Sequence, residues 1–458
     1  VWSADGQSIL VAANARPQYI LEPRDTDIFA FDATTGAARR LTDRRGPDDD
    51  PAVSPDGRLV AYTGYDDRKL GYQVVRLYVM NADGTSRREL LPDFGRDVTA
   101  PQWTADGTGL VFQSESEGML RLFQVSLRGG APVRLADSVG SGSSAYTGGS
   151  FSLSRTGRIA YTWATATRAG DVAVDGLGSA PTQVVTALND DVLAQRQAGA
   201  VEEIWYPSSK DGRRIQGWII KPPGFDPAKK YPLLLEIHGG PFAAYGPKFD
   251  IEKQVWAGAG YVVLYTNPRG STSYGEEFAS LIHHAYPGDD RFDLESGVDA
   301  VVARGYIDPS QLYVTGGSGG GVLTGWLIGH TGRYRAAVAQ YPVVNWYSFA
   351  LTTDIPYTTQ YWFPGFPWEH QDQYLARSII SKVGAVTTPT MVITGESDWR
   401  TPMSESEQYF QALMLKGVPS TLIRVPGEFH GIRGRPSHFM QKIGYIQAWF
   451  DRYKKPAA

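Results

Sequence analysis

Short runs of alternating apolar and polar residues dominate the first 200 positions, and they recur. Trp2-Ser3-Ala4-Asp5-Gly6 leads into Ile9-Leu10-Val11, Val53-Ser54-Pro55-Asp56-Gly57 into Leu59-Val60-Ala61-Tyr62, and Trp103-Thr104-Ala105-Asp106-Gly107 into Leu110-Val111-Phe112. A weaker copy, Leu153-Ser154-Arg155-Thr156-Gly157, precedes Ile159-Ala160-Tyr161. A second apolar run follows in the first three copies: Asp27–Phe31, Leu77–Met80 and Leu122–Val125. Alternation with period two predicts half-buried strands, and Asp-Gly supplies the tight turn between them. About four strands per ~50 residues, repeated, is the pattern of β-propeller blades. Residues 1–196 are therefore expected to form an all-β propeller of about four blades. Four is few for a ring that must close to hide its strand edges. An N-terminally incomplete propeller is expected, with exposed edges that could favour oligomerisation.

The pattern changes after Asn189-Asp190-Asp191. Continuous apolar runs, Leu233–Ile237, Val262–Tyr265, Leu312–Thr315, Met391–Thr394 and Leu422–Val425, now alternate with helical stretches such as Asp293–Arg304. Strands buried on both faces and separated by helices predict a doubly wound, mostly parallel sheet. Residues 197–458 are expected to be one catalytic domain with the α/β-hydrolase fold.

That setting gives meaning to Gly316-Gly317-Ser318-Gly319-Gly320, which follows a strand and precedes a helix. A Gly-x-Ser-x-Gly turn there presents the serine hydroxyl clear of the backbone. No Gly-Lys-Ser/Thr ending supports a phosphate loop instead. Serine needs a base to become a nucleophile, and the fold orders the triad as serine, acid, histidine. Asp398 follows the strand at 391–394 and His430 the strand at 422–425. Glu396 competes with Asp398 but lies nearer its strand's end. Of the seven histidines, His283 and His284 lie on no catalytic loop. His438 begins the last helix, as a surface or capping residue. His238-Gly239-Gly240-Pro241 follows the strand at 233–237. The backbone N–H groups of Gly240 and Gly319 are the expected oxyanion-hole donors, with His238 structural.

Composition narrows the picture further. Net charge of -4 over 458 residues offers no basic face for nucleic acid. No apolar run approaches the ~18–20 residues that would cross a membrane. With no cysteine, thiolate nucleophiles and cysteine metal sites are excluded. The compartment stays open between cytoplasm and periplasm.

Taken together, His238-Gly239-Gly240-Pro241, Asn267-Pro268-Arg269-Gly270-Ser271, the serine turn, Asp398-x-Arg400 and His430-Gly431 resemble the prolyl oligopeptidase family of serine peptidases. The nearest likeness is to its acylaminoacyl peptidase and dipeptidyl aminopeptidase-like branch. The resemblance implies a propeller that limits access to short peptides, and catalysis without metal or cofactor. It also implies an apolar substrate pocket, for which Val343, Trp346 and Phe349 are candidates; ordinary core packing explains those three equally well. Two departures stand out. Relatives often carry a bulky residue where this chain has Gly319, which would widen the pocket rim. The paired glutamates that anchor a free N-terminus in aminodipeptidases have no clear counterpart, since Glu202-Glu203 lies at the domain junction as a solvated pair. A carboxylesterase is the alternative reading, and a non-catalytic propeller-based binding protein the third.

Overall fold

The computed structural model describes residues 1–142, 144–176 and 182–455. Contacts group the chain into two units: Val1–Val192 with Thr272–Glu277, and Leu193–Ser271 with Phe278–Ala458.

The first unit is all-β apart from a short helical turn at its end, and its antiparallel strands fall into four successive blades, three of them four-stranded. Asp48–Val53, Leu59–Gly64, Arg76–Asn81 and Arg88–Glu89 make one. Thr99–Trp103, Gly109–Ser116, Met119–Ser126 and Val133–Val139 make the next. A single pair, Val139 with Trp163, joins it to the blade Phe151–Leu153, Arg158–Trp163, Asp171–Gly176 and Gln183–Val184. The first copy holds Ser8–Ala13, Asp27–Asp32 and Ala38–Arg40, with Trp2 bridging Ile9.

The recurring turn has a chemical cause. In the second copy Ser54 Oγ donates to Asp56 Oδ1 (2.6 Å), which also accepts from Arg58 N. Thr104 and Asp106 repeat this, as do Ser3 and Asp5. Gly57 completes the turn at φ +74, a conformation costly for other residues. The cores lie between successive blades: Leu10, Ile28 and Leu41 pack on Val60 and Tyr62, and Ala61, Leu77 and Val79 on Leu110 and Phe112. Thr272–Glu277 belongs to this unit: Glu117 and Gly118 donate to Ser273, and Val74 N to Glu276.

The second unit is an eight-stranded sheet. Its strands are β1 (Ala200–Pro207), β2 (Arg214–Lys221), β3 (Tyr231–Ile237), β4 (Val262–Asn267), β5 (Ile307–Gly317), β6 (Ala336–Gln340), β7 (Thr390–Gly395) and β8 (Ser420–Val425). They lie in the order β1-β2-β4-β3-β5-β6-β7-β8, parallel except for the pairings of β2 with β1 and β4. Every residue of β4, β6 and β7 is buried, so both faces are covered. The covering helices include α1 (Ile251–Gly258), α2 (Asp290–Val302), α3 (Gly319–Ile328), α4 (Trp346–Thr352), α5 (Met403–Leu415) and α6 (Pro436–Tyr453). This is the α/β-hydrolase fold. Its strand ends carry the loops that hold Ser318, Asp398 and His430.

Candidate active site

Ser318 stands between β5 and α3 with φ 58 and ψ -120, a strained conformation for a residue with a Cβ. Its N–H donates to Gln340 O (3.0 Å) and its carbonyl accepts from Val322 N (3.0 Å). The strain is thus held between the neighbouring strand and the helix. Close approach explains the flanking glycines. A Cβ at Gly320 would collide with the carbonyl oxygen of Ile237, a backbone atom that cannot swing away. The helix therefore sits directly over the end of β3.

Asp398 and His430 are joined through their side chains. Asp398 is 2% exposed, and its Oδ1 accepts from Arg400 N (3.0 Å) and Thr401 N (2.9 Å). Its Oδ2 accepts from His430 Nδ1 (2.8 Å) and Thr401 Oγ1 (3.1 Å). That bond assigns the proton to Nδ1 and leaves Nε2 able to take one. Glu396 is exposed and accepts from Arg424 instead (3.0 Å). The hydrogen bonds of the described residues do not include one from Ser318 Oγ to His430. Such links are often long before substrate binds. Tyr341 touches both neighbourhoods: its ring meets His430 edge-on at 4.8 Å, and its hydroxyl lies against Gly317.

The loop after β3 is braced by the loop after β4. Asn267 clasps both backbone groups of Tyr245, accepting from its N–H (2.8 Å) and donating to its carbonyl (2.9 Å). Ser271 Oγ faces His238 Nε2 at 2.9 Å, and Nδ1 lies 2.7 Å from Gly239 O. Burial, reinforced by the nearby Lys253 charge, lowers the His238 pKa to about 4, so the ring is neutral and structural. Arg269 grips Asp293 through Nε (2.9 Å) and Nη2 (2.8 Å), with Asp211 beside it. Asn267-Pro268-Arg269-Gly270-Ser271 thus acts as scaffolding. It sets Gly240 against Gly319, where a Cβ would lie 3.0 Å from Gly240 O. The Gly319 N–H opens helix α3, where no intrahelical acceptor exists.

Val343, Trp346 and Phe349 are 5%, 2% and 2% exposed, so all three are packed. Trp346 is the hub: Phe349, Trp362 and Phe363 surround it at 5.3–5.6 Å, and Tyr286 at 6.2 Å. Half-buried Trp362 reaches Phe242 in the Gly240 loop, 6.4 Å away. Buried Glu405 fixes this segment by accepting from Val344 N (2.8 Å) and Asn345 N (2.7 Å).

The space beside Gly319 is not empty: the Tyr286 hydroxyl stands 2.9 Å from where its Cβ would be. Glu203 is exposed and Glu202 half-buried, and both also have protein partners. Glu202 bonds Lys221 and Arg304, and Glu203 accepts from Trp205 and Gln216.

The model of the prolyl oligopeptidase family matches residues 247–456, a stretch that contains Ser318, Asp398 and His430. The chain belongs to the prolyl oligopeptidase family. Its curated relatives include the uncharacterized peptidase YuxL of Bacillus subtilis, 35% identical over 77% of this chain and 53% of that protein. Dipeptidyl-peptidase 5 of Porphyromonas gingivalis is 27% identical over 99% of this chain and 66% of that one. The chain thus spans between half and two thirds of the length of these relatives. Among solved structures, acylaminoacyl peptidase of Pyrococcus horikoshii shares the fold, with a TM-score of 0.85 at 22% identity. That match covers all of this chain and 71% of the other.

Three residues packed around Ser318, Asp398 and His430 were not expected from the sequence: Tyr286, Thr401 and Glu428. Thr401 had a signal, since it follows Asp398-Trp399-Arg400 at hydrogen-bonding reach in a turn. Glu428 lies two residues before His430, and its carboxylate accepts from Gly434 N (2.9 Å), Arg435 N (3.0 Å) and His438 Nδ1 (2.8 Å). Burial opposes its ionisation, but these donors outweigh burial and lower its pKa. It closes the His430 loop onto the start of α6. Tyr286 carries no motif at all.

Proposed function

We propose that the chain is the catalytic part of a serine peptidase that hydrolyses short peptides through an acyl-enzyme. Residues 197–458 supply the chemistry, and the propeller of residues 1–196 restricts substrate size. The observation that carries the reading is the Asp398–His430 hydrogen bond of 2.8 Å, on the same strand-end edge as a serine held at φ 58. Ser318 Oγ attacks the scissile carbonyl while His430 Nε2 takes its proton. Asp398 keeps the imidazole in its Nδ1–H tautomer and stabilises the imidazolium that forms. The N–H groups of Gly240 and Gly319 receive the negative oxygen. His430 then returns the proton to the leaving amine, and water releases the acyl group by the reverse sequence. Val343, Trp346 and Phe349 line the pocket for the residue before the scissile bond. No step needs a metal or cofactor.

The test is hydrolysis of matched peptide p-nitroanilides and p-nitrophenyl esters by the parent and by Ser318→Ala. Cleavage of both substrate types, lost in the variant, supports a peptidase. Ester cleavage alone would replace it with a carboxylesterase, and equal rates in the variant would remove Ser318 from the chemistry.

A further inference from the structure

Tyr286 lies in the stretch between Ser280 and α2 and is 8% exposed. Its hydroxyl donates to Gly319 O at 2.7 Å and stands where a side chain following Ser318 would begin. A residue remote in sequence thus fills the place that Gly319 leaves open. The ring also meets Trp346 edge-on at 6.2 Å, so Tyr286 joins the residue after Ser318 to the aromatic cluster.

It is firmly held there. Arg377 Nη1 donates to the carbonyls on either side of it, Ala285 O at 3.2 Å and Pro287 O at 3.0 Å. The carbonyl of Arg377 accepts from Trp346 Nε1 at 3.2 Å. Tyr286 and Trp346 therefore share one brace, and neither can shift without straining the other. A side chain that only filled the core would not need its hydroxyl on the peptide next to the nucleophile.

We propose that Tyr286 is a specificity-determining residue: it forms the wall of the acyl pocket beside Ser318 and limits the size of the apolar acyl group accepted. The inference rests on the reading of Ser318 as the nucleophile. Bulk at this wall is set by Tyr286 from its own loop, in place of the residue after the serine. Shortening Tyr286 deepens the pocket and shifts preference from small acyl groups to aromatic ones.

The experiment compares kcat/KM for p-nitrophenyl acetate and p-nitrophenyl 3-phenylpropionate in the parent, Tyr286→Ala and Tyr286→Phe. Labelling of Ser318 by a fluorophosphonate probe is measured alongside. The phenylpropionate-to-acetate ratio is expected to rise about tenfold or more in Tyr286→Ala, in line with the worth of one filled or emptied pocket. In Tyr286→Phe, which loses only the hydroxyl, it should rise about two- to fivefold. A ratio within twofold of the parent in both variants, with Ser318 still labelled, overturns the proposal. If Tyr286→Ala does not fold, the Phe variant decides by the same criterion. A parent protein that is not labelled at Ser318 fails at the nucleophile instead, and takes this inference with it.

Discussion

The two sides of the site are built from different materials. Around Ser318 the parts are backbone: a strained turn, glycines forced by close approach, and N–H groups at a helix start. Around His430 they are side chains, with Asp398 accepting four hydrogen bonds and Glu428 three. The backbone side is fixed by folding itself, so damage there should appear first as lost stability. The side-chain side can lose a group while the fold persists, so damage there should appear as lost rate.

The largest contrast comes from His430→Ala. Turnover should fall about 10⁶-fold, with an unchanged thermal midpoint; a comparable loss of stability would break the distinction. Gly320→Ala is the opposite case, because its Cβ meets the Ile237 carbonyl. Destabilisation of about 3 kcal/mol or more is expected in urea unfolding, and a fully stable variant would refute the close-approach argument.

Asp290 sharpens the comparison on the backbone side. It is fully buried at the start of α2, accepting from Gly288 N (2.8 Å). Burial, with a smaller push from the Asp293 charge, raises its pKa to about 7 against the partial relief of the Gly288 N–H and, less, of Arg269. Since the unfolded chain releases this proton near 3.8, the folded state binds more protons between those values. Stability should therefore fall as pH rises from about 4 to 7 and level off above. Asp290→Asn should remove a loss on the order of 2 kcal/mol between pH 5 and 8. Parallel stability curves for parent and variant would contradict it. The smallest effect is expected from Glu428→Gln, which loosens the His430 loop: kcat about tenfold lower with KM little changed. A KM effect alone would mean that the loop serves binding.

The same contrast governs what the sequence reveals. The backbone side is legible because glycines at fixed spacing follow a buried strand, a local pattern with few other causes. The Asp-Gly turns of the blades are legible for the same reason. Asp398 and His430 could be placed only through strand order, since nothing local distinguishes their loops. Tyr286 and Glu405 act through contacts that the fold creates between distant segments, and Glu428 through the closing of an irregular loop onto α6, so their sequence neighbourhoods carry no mark of them. The grouping of Thr272–Glu277 with the blades was hidden likewise, because its local pattern is that of an ordinary loop.

The central claim is that His430 activates Ser318 across the join between these two sides. It is tested most directly by the rate of fluorophosphonate labelling in the parent and in His430→Ala, with the modified peptide mapped by mass spectrometry. Rapid labelling at Ser318, slowed about 10²-fold or more without the imidazole, is the predicted result. Labelling at another serine, or at an undiminished rate in His430→Ala, would contradict it.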